Sequence, residues 1–207
     1  MPQIRNEVKR DYQAVEELTR RAFYNLYVPG CVEHYLVHIM REHEDFIQEL
    51  DFVLEEDGRI IGNIMYTKAK LVDETGREKK ILTFGPVCVE PDLQRQGYGK
   101  QLMEHSFTKA VELGYDAIFG SPANYVSRGF QSCQKFQVHV EGGKYPAAML
   151  VKELIPGALT GHQWTYSDSP VMAIPEEEAR HYDDTLPPME RRHQPSQEEF
   201  YILSRSF

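Results

Sequence analysis

The residues with the clearest chemical purpose are Gln94-Arg95-Gln96-Gly97-Tyr98-Gly99-Lys100. Two glycines without Cβ let the backbone approach a ligand closely. Behind them Leu102, Met103, Phe107, Ala110, Val111 and Leu113 recur at close to helical spacing, so the turn opens an amphipathic helix. The first N–H groups of a helix lack intrahelical acceptors, and its N-terminus carries partial positive charge. Both properties suit a phosphate or diphosphate. Arg95 and Lys100 add charge at the rim. There is no Gly-Lys-Ser/Thr ending, which excludes the nucleotide P-loop, and the glycines lack the dinucleotide spacing. The glycines alone leave open an ordinary strand-turn-helix in which they serve packing only.

The elements around this turn must position it. Ile81 to Val89 reads as a strand that Pro91 stops, and Gly114 sits where a helix C-cap belongs. Upstream, Ile4 to Glu7 is a short strand, and Asp11 precedes a helix with Val15, Leu18, Ala22 and Phe23 on its core stripe. Val28-Pro29-Gly30 breaks the chain before a second helix from Val32 to about His43. Phe52 to Leu54 and Arg59 to Leu71 are strands joined by the hairpin signal Asp57-Gly58. Asp73 to Gly76 turns the chain again, so the strand before the glycines is reached by an antiparallel meander. Ala117 to Gly120 follows the long helix and should lie parallel to that strand. Ser121-Pro122 ends it, and Asn124 to Arg128 forms a short turn or helix. Phe136 to Val140 and Ala147 to Leu154 read as two more strands.

Three segments, in order, resemble the GNAT superfamily of N-acetyltransferases. Gln94-Arg95-Gln96-Gly97-Tyr98-Gly99 fits its acetyl-CoA signature Gln/Arg-x-x-Gly-x-Gly/Ala at every defined position. Val87-Cys88-Val89-Glu90-Pro91 is similar to the family's fourth strand and exit proline, and Tyr125-Val126-Ser127-Arg128-Gly129-Phe130 to its Tyr-x-x-x-Gly-Phe segment. The approach to Tyr125 looks most like a bacterial branch of predicted acetyltransferases whose substrates are poorly known. The resemblance covers roughly residues 1–155. It implies an α/β (α+β) acyl-CoA N-acyltransferase fold, a central mixed, mostly antiparallel sheet flanked by helices. It further implies that the strands at 81–89 and 117–120 splay apart to receive the pantetheine arm. Acetyl-CoA would be held by Val87, Cys88, Val89, Arg95, Gln96, Gly97, Tyr98, Gly99 and Lys100. Tyr125 matches the family's catalytic tyrosine, and the Val89 N–H would face the acetyl carbonyl. His34, Tyr35 and His38 would border the acceptor pocket. One departure stands out: many relatives carry Asn seven positions before the tyrosine, where this chain has Ile118, and Asn124 is the nearest substitute.

Composition bounds the rest. The chain has 207 residues, 41% of them hydrophobic, which suits one domain or one domain with an appendage. We expect an acetyltransferase domain over 1–155 and an extension over 156–207 that docks on the domain or on a second subunit in a homodimer. Within that extension Pro175 to Pro195 is polar, with acids at Glu176, Glu177 and Glu178. Ser196-Gln197-Glu198-Glu199 has the form of a capping box opening a last helix. A formal net charge of −9 argues against nucleic acid or an anionic membrane as main partner and favours a cationic or neutral acceptor. Cys31, Cys88 and Cys133 are an odd, scattered set that fits free thiols in a reducing cytoplasm. The charged N-terminus is no signal peptide, and no apolar run nears the ~20 residues that span a membrane.

Acetyl transfer to an amine needs a deprotonated nitrogen, a donor for the carbonyl oxygen and a proton for the departing sulfur. A phenol stays protonated at neutral pH, so Tyr125 suits the last task. Cys88 lacks an adjoining histidine and is not expected to act as a nucleophile, since the resembled family transfers acetyl directly. Glu90, His34, His38 and Asp45 compete as general base. His34, His38 and Glu42 share a helix face, but Tyr35 stands where the zinc-protease signature needs Glu, so no metal is expected. The expectation is acetyl-CoA-dependent N-acetylation of a small-molecule amine through a ternary complex. A protein or peptide N-acetyltransferase and a non-catalytic acyl-CoA sensor are the alternatives.

Overall fold

In chain order the elements are β1 (Gln3–Asn6), α1 (Tyr12–Phe23), α2 (Glu33–Met40), β2 (Phe52–Glu56), β3 (Arg59–Asp73), β4 (Glu78–Val89) and α3 (Tyr98–Glu112). Then come β5 (Ala117–Gly120), β6 (Gln131–Ser132), β7 (Val138–His139), β8 (Leu150–Glu153), β9 (Trp164–Ser167), α4 (Glu176–Asp184) and α5 (Pro195–Ser204). This computed structural model describes residues 2–120 and 123–207, without the side chains of 123 and 124. The expected strand end at Ser121-Pro122 therefore lies outside the described residues, as does the side chain of Asn124.

β3 is the spine. Ile60 to Thr67 are all buried, because helices cover both faces there, while the second half alternates buried and exposed. The strand order is β1-β2-β3-β4-β5-β8-β6, with β9 paired to β3 and β7. β4 with β5 and β7 with β9 are parallel; the other paired strands are antiparallel. The sheet is thus mixed and mostly antiparallel. On one face α3 sets Leu102, Met103 and Ala110 against Leu54, Ile64, Tyr66 and Leu82. Val53 and Met65, of opposite parity to Leu54, Ile64 and Tyr66, meet Val15, Leu18, Leu36 and Val37 of α1 and α2, and Ile60 joins them. A third cluster joins Phe119, Val151 and Leu71 to Trp164, which the extension supplies.

The structure differs from the sequence reading at several edges. β4 starts at Glu78, three residues earlier, because its pairing with β3 runs on to Val72. Phe136 lies in a 3₁₀ turn and Gln137 has φ +54, so only Val138 and His139 remain as strand. β8 begins at Leu150, and the Ala147 N–H is spent on Ser206 O at 2.8 Å. The capping box does not form. Gln194 is the N-cap of α5, and the Ser196 hydroxyl donates instead to Leu26 O at 2.7 Å. Among the described residues, no helix is long and apolar enough to cross a membrane. Cys31, Cys88 and Cys133 are free and buried.

Candidate active site

The site starts as an irregularity in β4. Ile64 pairs with Val87 and Tyr66 with Phe84, so Gly85 and Pro86 stand opposite Met65 alone. Such a bulge bends its strand, and a proline at this place has no N–H to give a neighbour. Parallel pairing to β5 stops at the same point: only Leu82–Ile118 and Thr83–Phe119 are matched, although β4 continues to Val89. The two strands diverge beyond Thr83. Phe84 marks the closed end of the split. A Cβ at Gly120 would overlap its ring, so glycine is needed there. The Phe84 ring meets Tyr125 edge-on at 4.8 Å and an 88° angle.

Past the split, Arg95 (φ +62) and Gly97 (φ +92) take left-handed backbone and turn the chain into α3. The first intrahelical bond of α3 runs from Gln101 N–H to Gly97 O at 3.0 Å, so the N–H groups of Tyr98, Gly99 and Lys100 have no acceptor within the helix. A Cβ on Gly97 would meet nothing within 4 Å, and one on Gly99 only Val89 at 3.7 Å. Protein packing does not explain these glycines. Left-handed backbone explains the first, and open space for a ligand is consistent with the second.

A cavity of about 350 Å³ runs along this corner. Val87, Cys88, Val89, Arg95, Gly97, Tyr98, Gly99, Lys100 and Tyr125 line it. Gln96 does not; its amide donates to Asp92 O at 3.3 Å. Residues that the sequence reading did not place in the site also line it, chiefly Ala22 and Phe23 at the end of α1, Leu26 and Tyr27 just after it, and Arg128. The one local signal for them is the break at Val28-Pro29-Gly30, which forces the end of α1 to turn here.

Burial raises the Tyr125 phenol above its ordinary range, with Tyr27, Tyr66 and Cys88 adding to the rise. Tyr125 is therefore a protonated donor at neutral pH. Burial, reinforced by Glu33, pushes Tyr27 up to about 12. Cys88 is also pushed up to about 12, by burial first, and its Sγ lies 3.6 Å from Thr19 Oγ1. A thiol so placed is not a nucleophile at neutral pH.

The four competing bases fare differently. Glu90 forms two hydrogen bonds with Arg21 (3.1 and 2.9 Å) and an ion pair with Arg59 at 2.9 Å. Arg21 is the main cause that holds its carboxyl below the usual range. His34 is fully buried, 3.4 Å from Asp183 of α4, and burial pushes it down to about 4. His38 stacks on Tyr182 at 4.7 Å, and Tyr35 donates to Glu178 at 2.7 Å. Asp45 accepts from Ser169 at 2.7 Å. His34, Tyr35 and His38 all face the extension, and none of the three lines the cavity. Among the described residues, no three His, Cys, Asp or Glu side chains converge as metal ligands.

A bulged strand diverging from its parallel neighbour, a glycine turn opening a helix beside the gap and a half-buried tyrosine at its closed end define an acyltransferase fold of the acyl-CoA type. The sequence model of the acetyltransferase (GNAT) family matches residues 13–132, and the chain belongs to that family. Among solved structures it is similar to a GNAT family N-acetyltransferase (YhbS) from Escherichia coli in complex with CoA, at 24% identity and a TM-score of 0.71 over 83% of this chain and 91% of that one. It is also similar to a GNAT family acetyltransferase from Brucella melitensis in complex with acetyl-CoA, at 20% identity and a TM-score of 0.64 over 83% and 98%. At such identities these likenesses establish the fold. No curated protein matches the sequence.

Proposed function

We propose that this acyltransferase moves the acetyl group of acetyl-CoA to a primary amine of a small molecule, by direct attack in a ternary complex. The observation that carries this reading is a single cavity lined by the α3 N-terminal turn, by Tyr125 and by Val87, Cys88 and Val89 of β4, beyond the point where β4 stops pairing with β5. Two structural relatives hold CoA or acetyl-CoA, which supports the same ligand here. In this reading the backbone N–H groups from Gly97 to Lys100 receive the diphosphate, with Arg95 and Lys100 as counter-charges. The edge Val87-Cys88-Val89 guides the pantetheine arm, and the Val89 N–H donates to the carbonyl oxygen.

The proton account closes on Tyr125. The acceptor ammonium first loses a proton to solvent. As its nitrogen forms the C–N bond and the C–S bond breaks, the Tyr125 hydroxyl gives its proton to the leaving sulfur. The proton still carried by the nitrogen then returns to the Tyr125 oxygen, so the products are the amide and a free thiol. No acyl-enzyme is needed, in keeping with the buried Cys88.

The test is Tyr125→Phe assayed by thiol release over a panel of amines, polyamines, amino acids and short peptides. We expect kcat to fall by about 100-fold while the Kd for acetyl-CoA stays within about twofold. Equal turnover by the variant would remove Tyr125 from the acid role. Turnover on peptides alone would favour the protein-acetylating alternative, and binding without turnover the sensor.

A further inference from the structure

A second cavity, of about 690 Å³, adjoins the first at Tyr27, which lines both. Its size is that of a small-molecule site. One wall is Tyr27, Val28 and Pro29; the other is built by the extension, with Glu176, Phe200 and Tyr201. Phe200 lies against the Tyr27 ring at 4.7 Å. Hydrogen bonds fix the extension here: Ser196 donates to Leu26 O at 2.7 Å and Gln197 to Asn25 O at 2.9 Å.

The charges of the two cavities differ in sign. Arg95, Lys100 and Arg128 line the first. In the second, Glu176 and Glu198 carry no ion pair among the described residues, while its Arg205 is turned over the Tyr201 ring at 4.3 Å. His193 also lines it. An anionic acyl donor suits one end and a cationic acceptor the other.

We infer that the cavity between Tyr27 and α5 is the acceptor site, and that it takes a primary ammonium carried on an apolar or aromatic body. This rests on the acetyltransferase reading above. Glu176 and Glu198 draw the cation into the cavity, and the body packs on Tyr27, Phe200 and Tyr201, whose rings offer large apolar area at fixed positions; the nitrogen, once it has lost its proton, reaches past Tyr27 towards the first cavity.

The experiment uses the full chain, acetyl-CoA as donor, and phenethylamine and ethylamine as probes, with thiol release giving KM and kcat and calorimetry giving the acetyl-CoA Kd. The wild type should show a KM for phenethylamine about tenfold below that for ethylamine. Phe200→Ala should raise the phenethylamine KM about tenfold, and the exposed double change Glu176→Gln with Glu198→Gln should raise both KM values about threefold, with kcat and acetyl-CoA Kd within about twofold. Equal KM values for the two probes in the wild type, or an unmoved KM in the glutamine variant, would overturn the acceptor site alone. Acetyl-CoA binding without thiol release on any amine would overturn the acetyltransferase reading and this inference with it.

Discussion

From Val89 to Lys100 the site is built by backbone: a strand edge, two left-handed residues and the first N–H groups of a helix, all within a dozen consecutive positions. From Pro156 onward the chain is held by side chains that meet partners far away in sequence. Arg20 and Asp183 pair at 2.7 Å across 163 positions, and Tyr182 reaches Glu16 at 2.6 Å across 166. Asn25 donates to Glu190 O and accepts from the Arg192 N–H, which ties the α1–α2 loop to the extension. The difference teaches where each function can tolerate change. Backbone recognition survives most substitutions and fails at the few positions that set φ. Side-chain stitching fails wherever one buried charge loses its partner.

Gly97→Glu should break the first region most severely. A side chain at φ +92 is strained, and its carboxylate would sit in the ring of N–H groups proposed for the diphosphate. The Kd for acetyl-CoA should rise by about 1,000-fold, roughly 4 kcal/mol, in calorimetry, with the fold intact by circular dichroism. A rise below tenfold would remove the turn from the binding site.

Arg20→Met should break the second region and spare the first. It strands the buried Asp183 carboxylate with Arg191 as its remaining arginine. Urea unfolding should show a loss of about 3 kcal/mol, with the acetyl-CoA Kd unchanged. An equal loss of acetyl-CoA binding would mean that the two regions are not separable.

Acid should act through the same contact. His34 titrates at about 4 in the folded chain against an ordinary value near 6.5. The unfolded chain therefore takes up its proton first as pH falls. The stability this group contributes is complete above about pH 6.5 and is lost progressively towards pH 4, on the order of 3 kcal/mol. Asp183, Arg20, Glu16 and His38 surround it and set the balance. Unfolding curves at pH 7.5, 5.5 and 4 for the wild type and His34→Leu check this, and an identical acid loss in both would exclude His34 as the cause.

The smallest effect should come where the two regions touch. Tyr166 of β9 stacks on Phe119 of β5 at 4.6 Å and hydrogen-bonds Thr83 of β4 at 2.5 Å, so it bridges the strands where they begin to part. Tyr166→Phe keeps the stack and should cost about 1 kcal/mol in urea unfolding. A cost above 3 kcal/mol would mean the hydroxyl holds more than this junction.

Much of this protein was legible in the sequence because it is written locally. The Asp57-Gly58 hairpin, the strand stopped by Pro91, the glycine turn and the stripe of α3 each depend on neighbours within a few residues, where steric limits and helical period act. The three GNAT-like segments, which carry the family resemblance, are local in the same way. Tertiary structure alone decided the rest. It turned His34, Tyr35 and His38 towards α4, locked Glu90 between Arg21 and Arg59, and sent the Ser196 hydroxyl to Leu26. It also made Tyr27 the wall between two cavities. The physical reason is that burial and ion pairing depend on which surfaces meet in space, and no local spacing encodes a meeting across 160 residues.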